Sequence, residues 1–322
     1  MKFNKILVVR SDRFGEFLLN IPAIRAIREA YPNAEIILFV NSSVVDLARC
    51  LPYVDEILEC DKASNGFLKK LRFINSLKKF KFDAAVMLNP SKDFNIVTFL
   101  AGIPVRAGYD RKWGFLLNRK IMDNKHLGLS HEVEYNLELV SLIGAKTDNK
   151  AVILDLDMHE VDKFAAYIGI DKFDNLVAIH PWTSDPLKQW SQENFRLLAK
   201  RLIDELKLKI LIVGTKDKIE KSKALFGDLG NSVFDITGKT GLRELAWCLK
   251  KCRLLISADS GPVHLASAVG TPAIALFRND IPGKCSRRWG PWGDKHIVIE
   301  KPALSAISVD EVFLKAKEAL KI

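Results

Sequence analysis

The chain has 322 residues, 48% hydrophobic, with only 18 glycines and 12 prolines; this suits two globular domains of roughly 150 residues each and excludes a disordered or linker-rich architecture. A net charge of +10 and a pI near 9.3 call for an anionic partner: nucleic acid, an anionic membrane surface or a phosphorylated substrate. No nucleic-acid motif accompanies the charge, no apolar run approaches the ~20 residues that cross a bilayer, and the apolar stretch behind the basic N-terminus is only strand-long, which argues against a secretory signal.

Taken in order, the first half alternates short apolar runs with amphipathic segments. Strands are expected over 6–9, 35–40, 56–58 and 84–88, and helices over 21–30, 67–80 and 133–142. The first strand runs into Arg10-Ser-Asp-Arg-Phe-Gly-Glu16, which lacks G-x-G-x-x-G, so NAD and FAD are disfavoured. What remains is a carboxylate, Glu16, where a strand gives way to a helix beside Arg10 and Arg13. It either answers the helix dipole or serves as a general base, and Asp12 competes for either role. The densest basic run, 69–81, reads as a helix with Leu71, Ile74 and Leu77 on one side; its lysine face is read as solvated, ahead of the alternative of a lipid-surface patch. Charged, weakly patterned sequence over 145–150 and 155–172 holds the crossover between domains. Asp155 and Asp157 there alternate with apolar residues, which reads as structure and not as a metal chelate.

The alternation restarts after Asp171, with strands over 176–179, 209–213, 233–236, 254–256 and 273–277 and helices over 194–206, 242–249, 263–269 and 309–320, the last capped by Ser308. Three strand ends carry chemistry. His180-Pro-Trp-Thr-Ser-Asp-Pro-Leu-Lys-Gln-Trp190 brings the hydroxyls of Thr183 and Ser184 and the charge of Lys188 to one loop, a set suited to an anionic leaving group; His180 has the weaker case as a catalyst. Past Gly214, either Asp217 or Glu220 could bond ribose hydroxyls. Asp259-Ser260-Gly261-Pro262-Val-His264 breaks a buried strand into a helix, which points backbone N–H groups at one spot, a ready phosphate site. Five scattered cysteines suit reduced thiols in a cytoplasmic protein, and no second pair at ligand spacing joins Cys248 and Cys252.

Together these segments resemble the lipopolysaccharide heptosyltransferases of glycosyltransferase family 9. The resemblance is carried by 6–16 with Pro22-Ala-Ile-Arg25, by His180-Pro181 through Lys188-Gln-Trp190, and by 259–266. It implies an α/β, GT-B architecture: two Rossmann-like doubly wound domains facing a central cleft. The expected divisions are an acceptor-binding domain over 1–160, a nucleotide-sugar domain over 171–306, and a terminal helix over 307–322 packing back toward the first domain. It further implies metal-independent, inverting transfer from ADP-heptose or a related nucleotide sugar to a phosphorylated lipid A-core acceptor, with no cofactor, at the cytoplasmic face of the inner membrane. By position, the family's Gly-Asp falls on Gly15-Glu16, which makes Glu16 the base candidate. Lys188, Thr183 and Ser184 match donor-phosphate contacts, and Asp259, Ser260, Gly261 and His264 match the donor turn. Arg10, Asp12 and Arg13 are the acceptor-side candidates. Where the family commonly has Phe-Gly-Pro-Thr, this chain has Phe277-Arg-Asn-Asp280. Two rival readings use the same features: a sugar-nucleotide epimerase on this scaffold, and a non-catalytic binder of sugar nucleotides or glycolipid.

Overall fold

The computed structural model describes residues 2–11, 13–60 and 67–322. The chain forms two compact units, Met1–Val152 and Ile153–Ile322. The first contains β1 (Lys5–Arg10), α1 (Phe14–Leu18), α2 (Ile21–Ala30), β2 (Glu35–Asn41), α3 (Val45–Ala48), β3 (Glu56–Cys60), α4 (Phe67–Phe80), β4 (Ala84–Met87), α5 (Lys92–Leu100), β5 (Val105–Tyr109), β6 (Arg119–Ile121) and α6 (Glu132–Ser141). The second contains α7 (Met158–Tyr167), β7 (Leu176–His180), α8 (Gln192–Leu206), β8 (Lys209–Ile212), α9 (Ile219–Phe226), β9 (Val233–Asp235), α10 (Leu242–Lys251), β10 (Leu254–Ala258), α11 (Gly261–Val269), β11 (Ala273–Arg278), α12 (Ser286–Trp289), β12 (Ile297–Lys301) and α13 (Val309–Leu320).

Each unit holds a six-stranded parallel sheet, ordered β3-β2-β1-β4-β5-β6 in the first and β12-β11-β10-β7-β8-β9 in the second. Numbered within its own unit, each sheet has the order 3-2-1-4-5-6. The chain reverses its winding direction between β1 and β4, and again between β7 and β10. At such a switch point the loops leaving adjacent strands diverge and open a crevice at the carboxyl ends. The central strands are buried on both faces, so they read as unbroken apolar runs such as Leu254-Leu-Ile256.

All nine expected strands are present. Three others escaped the apolar pattern: β5 is interrupted by Arg106 and Gly108, β6 is a short edge strand beginning Arg119-Lys120, and β12 ends in Glu300-Lys301. In α4, Ile74 and Leu77 face the core, but Leu71 lies on the outside at 40% exposure. Among the cysteines, Cys248 and Cys252 are buried, and burial pushes the Cys248 thiol up to about 12.

The expected boundary at residue 160 falls inside α7, which packs on α10 of the second unit through Val161, Ala165 and the Phe164–Trp247 ring contact. Asp157 caps that helix by accepting from the His159 N–H at 2.9 Å, the structural role expected of it. Arg25, buried in α2, holds the chain just before the boundary through the carbonyls of Asn149 and Ala151. The terminal helix belongs to the second unit. α13 inserts Val312, Phe313, Ala316 and Leu320 into the core of the second unit against α8 and β10–β12. Its hydrophobic stripe fills the face of the sheet that α8 leaves open.

Trp190 anchors that core. It is fully buried, meets Phe195 edge-on at 4.8 Å and donates its indole N–H to the Ile307 carbonyl at 2.9 Å. Trp190→Ala should lower the free energy of unfolding by about 3–5 kcal/mol. Trp190→Phe, which keeps most of the volume but leaves the carbonyl unpaired, should cost about 1–3 kcal/mol; urea titration of both variants checks the ordering.

Candidate active site

In the first unit the site forms at the carboxyl ends of β1 and β4. Arg10 ends β1 and is 2% exposed. Its guanidinium donates to the Leu88 carbonyl at 3.1 Å and to Glu16 Oε2 at 3.1 Å, and lies 3.9 Å from the buried Glu132 carboxylate. Glu132 is paired in turn with buried Lys125 at 2.6 Å, whose ammonium sits 4.2 Å from the Tyr109 ring. A buried charge is tolerated only when opposite charges and hydrogen bonds replace its water, and here two cations and two carboxylates do so. Arg10, an expected acceptor contact, pairs here with Glu16. Glu16 is in the first turn of α1, with a side chain 29% exposed. The buried Asn20 side chain donates to the Glu16 carbonyl at 2.6 Å and so pins the backbone as well. Arg13 is exposed at the N-cap of α1. Asp12 lies outside the described residues.

In the second unit the site forms at the corresponding place, the carboxyl ends of β7 and β10. Lys188 Nζ lies 2.5 Å from Asp259 Oδ2, so the loop after β7 and the turn after β10 meet there. Lys188 is held by its loop: Gln189 donates to the Pro181 carbonyl at 3.0 Å, Asp185 caps the Leu187 N–H at 3.0 Å, and Trp190 roots the end of the loop in the core. The Thr183 hydroxyl accepts from the Asp185 N–H at 3.2 Å and shapes the same loop, while Ser184 is exposed.

Ser260 occupies the N-cap of α11, yet no side chain caps that helix. Its hydroxyl lies 2.9 Å from Ser257 Oγ and 3.2 Å from His180 Nδ1, with Ser257 Oγ itself 3.1 Å from the same nitrogen. In that first turn Pro262 has no N–H and the Val263 N–H donates to the Ser260 carbonyl at 3.1 Å, which leaves the Gly261 N–H and the positive end of the helix dipole at the carboxyl end of β10. His264 is buried in that turn. Burial brings the His180 imidazole down to about 4, so at neutral pH it is an uncharged hydrogen-bond partner. His180 thus orients the donor turn and Ser257 completes the network. Ser257 was missed in the sequence, although a serine inside the buried run of β10 was the available signal.

Asp217 and Glu220 lie beyond β8, the strand next to β7. Asp217 is engaged locally: hydrogen bonds from Lys218, at 2.6 Å, and from the Thr215 hydroxyl, at 2.5 Å, lower its carboxyl to about 2. Glu220 is exposed in the first turn of α9. Neither touches the Lys188–Asp259 pair in the interactions seen. Gly214, between β8 and these residues, cannot carry a side chain, because a Cβ there would lie 2.5 Å from the indole nitrogen of buried Trp182. Past β11, Arg278 forks onto Asp280 with contacts of 2.6 and 2.5 Å, which occupies the guanidinium internally.

A helix terminus without a side-chain cap and a loop lysine therefore meet at a switch point, beside a buried neutral histidine. Residues 70–312 match Glycosyltransferase family 9 (heptosyltransferase). The chain belongs to glycosyltransferase family 9. It is 25% identical to a putative glycosyltransferase of Haemophilus influenzae over 95% of this chain and 94% of that one. It is also 25% identical to lipopolysaccharide heptosyltransferase 2 of Escherichia coli, covering 85% of this chain and 82% of that one. The solved structure of E. coli ADP-heptose LPS heptosyltransferase II superposes with a TM-score of 0.84 at 21% identity, over 98% of both chains. The fold is accordingly GT-B, and this family 9 member is a glycosyltransferase.

The neutral state of His180 makes the second unit acid-sensitive. The unfolded chain protonates this histidine near 6.5 and the folded chain only near 4. Its contribution is therefore full above pH 6.5 and is lost as pH falls toward 4, by on the order of 3 kcal/mol. Chemical denaturation at about pH 7 and about pH 4.5 should show a larger acid loss in the unmodified chain than in His180→Asn. Equal losses would remove His180 as the cause.

Proposed function

We propose that the protein transfers heptose from ADP-heptose to a sugar hydroxyl of a lipopolysaccharide core acceptor, with inversion and without a metal, at the cytoplasmic face of the inner membrane. The single observation that carries this reading is the Lys188–Asp259 contact beside the uncapped start of α11. The relatives named for lipopolysaccharide heptose transfer and for ADP-heptose supply the substrate class.

In this scheme the second unit binds the donor. Lys188, the Gly261 N–H and the dipole of α11 offset the charge that builds on the diphosphate as its bond to the anomeric carbon breaks. Thr183 and Ser184 add hydroxyl donors, His264 and Ser260 shape the turn, and Asp259 holds Lys188 until the phosphate arrives. Asp217 or Glu220 takes the ribose hydroxyls. The first unit binds the acceptor, with Arg13 and Asp12 as its polar contacts. Glu16 accepts the proton of the attacking hydroxyl as the new glycosidic bond forms, and ADP departs as the leaving group. Arg10 and Asn20 act through Glu16 by fixing its direction. The chain carries Glu where the family's motif has Asp, so the acceptor oxygen is met one methylene further from the backbone.

Glu16→Gln should lower kcat by about 10²–10⁴-fold while ADP affinity stays within about twofold. Turnover near the unmodified rate would remove Glu16 as the base. Lys188→Ala should raise KM for the sugar nucleotide at least about tenfold more than KM for the acceptor; the opposite split would reject its donor assignment. Donor incubated alone should stay unchanged, since its conversion to a second sugar nucleotide would mean epimerisation.

A further inference from the structure

One surface of the first unit is unlike the rest. The segment 111–122, from the crossover after β5 through β6, carries Arg111, Lys112, Arg119 and Lys120 and no acidic residue. Interleaved with them are Trp113 at 46% exposure, Phe115 at 70% and Met122 at 79%. The Trp113 and Phe115 rings lie 5.7 Å apart, and the Lys92 ammonium stands 4.3 Å from the Trp113 ring.

The backbone holds these side chains outward. Lys112 and Trp113 have φ of 49° and 68°, two consecutive residues in the left-handed region that side chains rarely adopt. The buried amide of Asn95 fixes them by donating to the carbonyls of Arg111 and Lys112 at 3.4 and 3.0 Å, and Lys112 Nζ donates to the Pro90 carbonyl at 3.2 Å. Gly114 follows because a Cβ there would lie 2.6 Å from Asp110 Oδ1. The chain thus takes up a strained turn, clamped from below, that presents two aromatic rings to solvent. The flanking acids Asp110 and Asp123 are each paired with a basic residue of the segment, Lys120 and Arg111, both at 3.0 Å. Four basic and two acidic residues over 110–123 leave a net charge of +2.

We propose that residues 111–122 are a membrane-surface anchor, with Trp113, Phe115 and Met122 entering the headgroup boundary of an anionic bilayer while the basic side chains meet lipid phosphates. Alternating cations with an aromatic pair and a methionine matches an interface that is apolar within and negative at its rim. An acidic protein partner is the other occupant such a patch could take, and it predicts no binding to the vesicles used below. The anchor sits on the unit assigned to acceptor binding. It rests on the reading that the acceptor is carried by lipid, and it brings the enzyme to the surface that carries it. It is distinct from the basic face of α4, where Lys70 is paired with Asp93.

The test is co-sedimentation of the full chain with phosphatidylcholine vesicles, with and without phosphatidylglycerol and with no acceptor present. The unmodified protein should pellet with the anionic vesicles and little with neutral ones. The double variant Phe115→Ser, Met122→Ser should bind them at least about tenfold more weakly, and Lys112→Glu with Arg119→Glu should abolish the dependence on phosphatidylglycerol. All variants should keep the unmodified thermal melt and the unmodified transfer rate to a deacylated, water-soluble acceptor. Equal binding to neutral and anionic vesicles, or variants that bind like the unmodified chain, would overturn the anchor. Absence of transfer to the soluble acceptor by the unmodified chain would instead refute the functional reading and leave the vesicle result standing.

Discussion

The N-cap serine that does not cap is the interaction on which the rest turns. Ser260 stands where a hydroxyl normally folds back onto the first turn of a helix, but its oxygen is drawn sideways to His180 and Ser257. With Pro262 lacking an N–H and Val263 bonded to the Ser260 carbonyl, the start of α11 offers a ligand the Gly261 N–H and the positive end of the helix dipole. His180 is uncharged there, and its Nδ1 meets the two hydroxyls as donor or acceptor according to tautomer, because each serine oxygen can supply the complementary role. Burial enforces neutrality, and the buried strands β7 and β10 enforce burial. The order of the sheet, the state of one imidazole and the exposure of a helix terminus are therefore one constraint seen at three scales.

The two units solve opposite electrostatic problems at equivalent places. In the second, a lysine and a helix terminus gather positive potential where a diphosphate would lie, and Asp259 holds the lysine in its absence. In the first, a cation is buried so that a carboxylate can be presented. Arg10 has exchanged its water for Glu16, Glu132, Asn20 and the Leu88 carbonyl. Removing it would take from Glu16 and Glu132 the guanidinium that lies against both. Replacement by lysine would not restore the fork that reaches two carboxylates and a carbonyl together.

What was legible in the sequence follows from the range of each interaction. Buried parallel strands announce themselves as apolar runs, and Gly261-Pro262 after a strand marks a helix start because proline at the second position fits nowhere else so well. Lys188 and Asp259 could be named from their loops, but their contact could not, since it joins segments separated by several elements. The same holds for His180 and Ser257, and for Arg10, whose burial depends on Glu132 arriving from α6. A sequence shows an arginine at a strand end and leaves open whether it faces a ligand or supports a neighbour. The edge strand β6 was unreadable for a different reason: with one side unpaired, its residues need not be apolar. The terminal helix was legible as an amphipathic stripe, which says that a face is buried and not that it is buried against α8 and β10–β12.

The most direct test of the account compares the affinities of ADP, AMP and adenosine for the unmodified protein by isothermal titration. A seat built around the second phosphate should bind ADP at least about tenfold more tightly than AMP, an increment expected of charge-assisted contacts to one phosphate, with adenosine weaker still. Equal affinities for all three would mean that Lys188 and the start of α11 do not meet a diphosphate, and the central claim would be wrong.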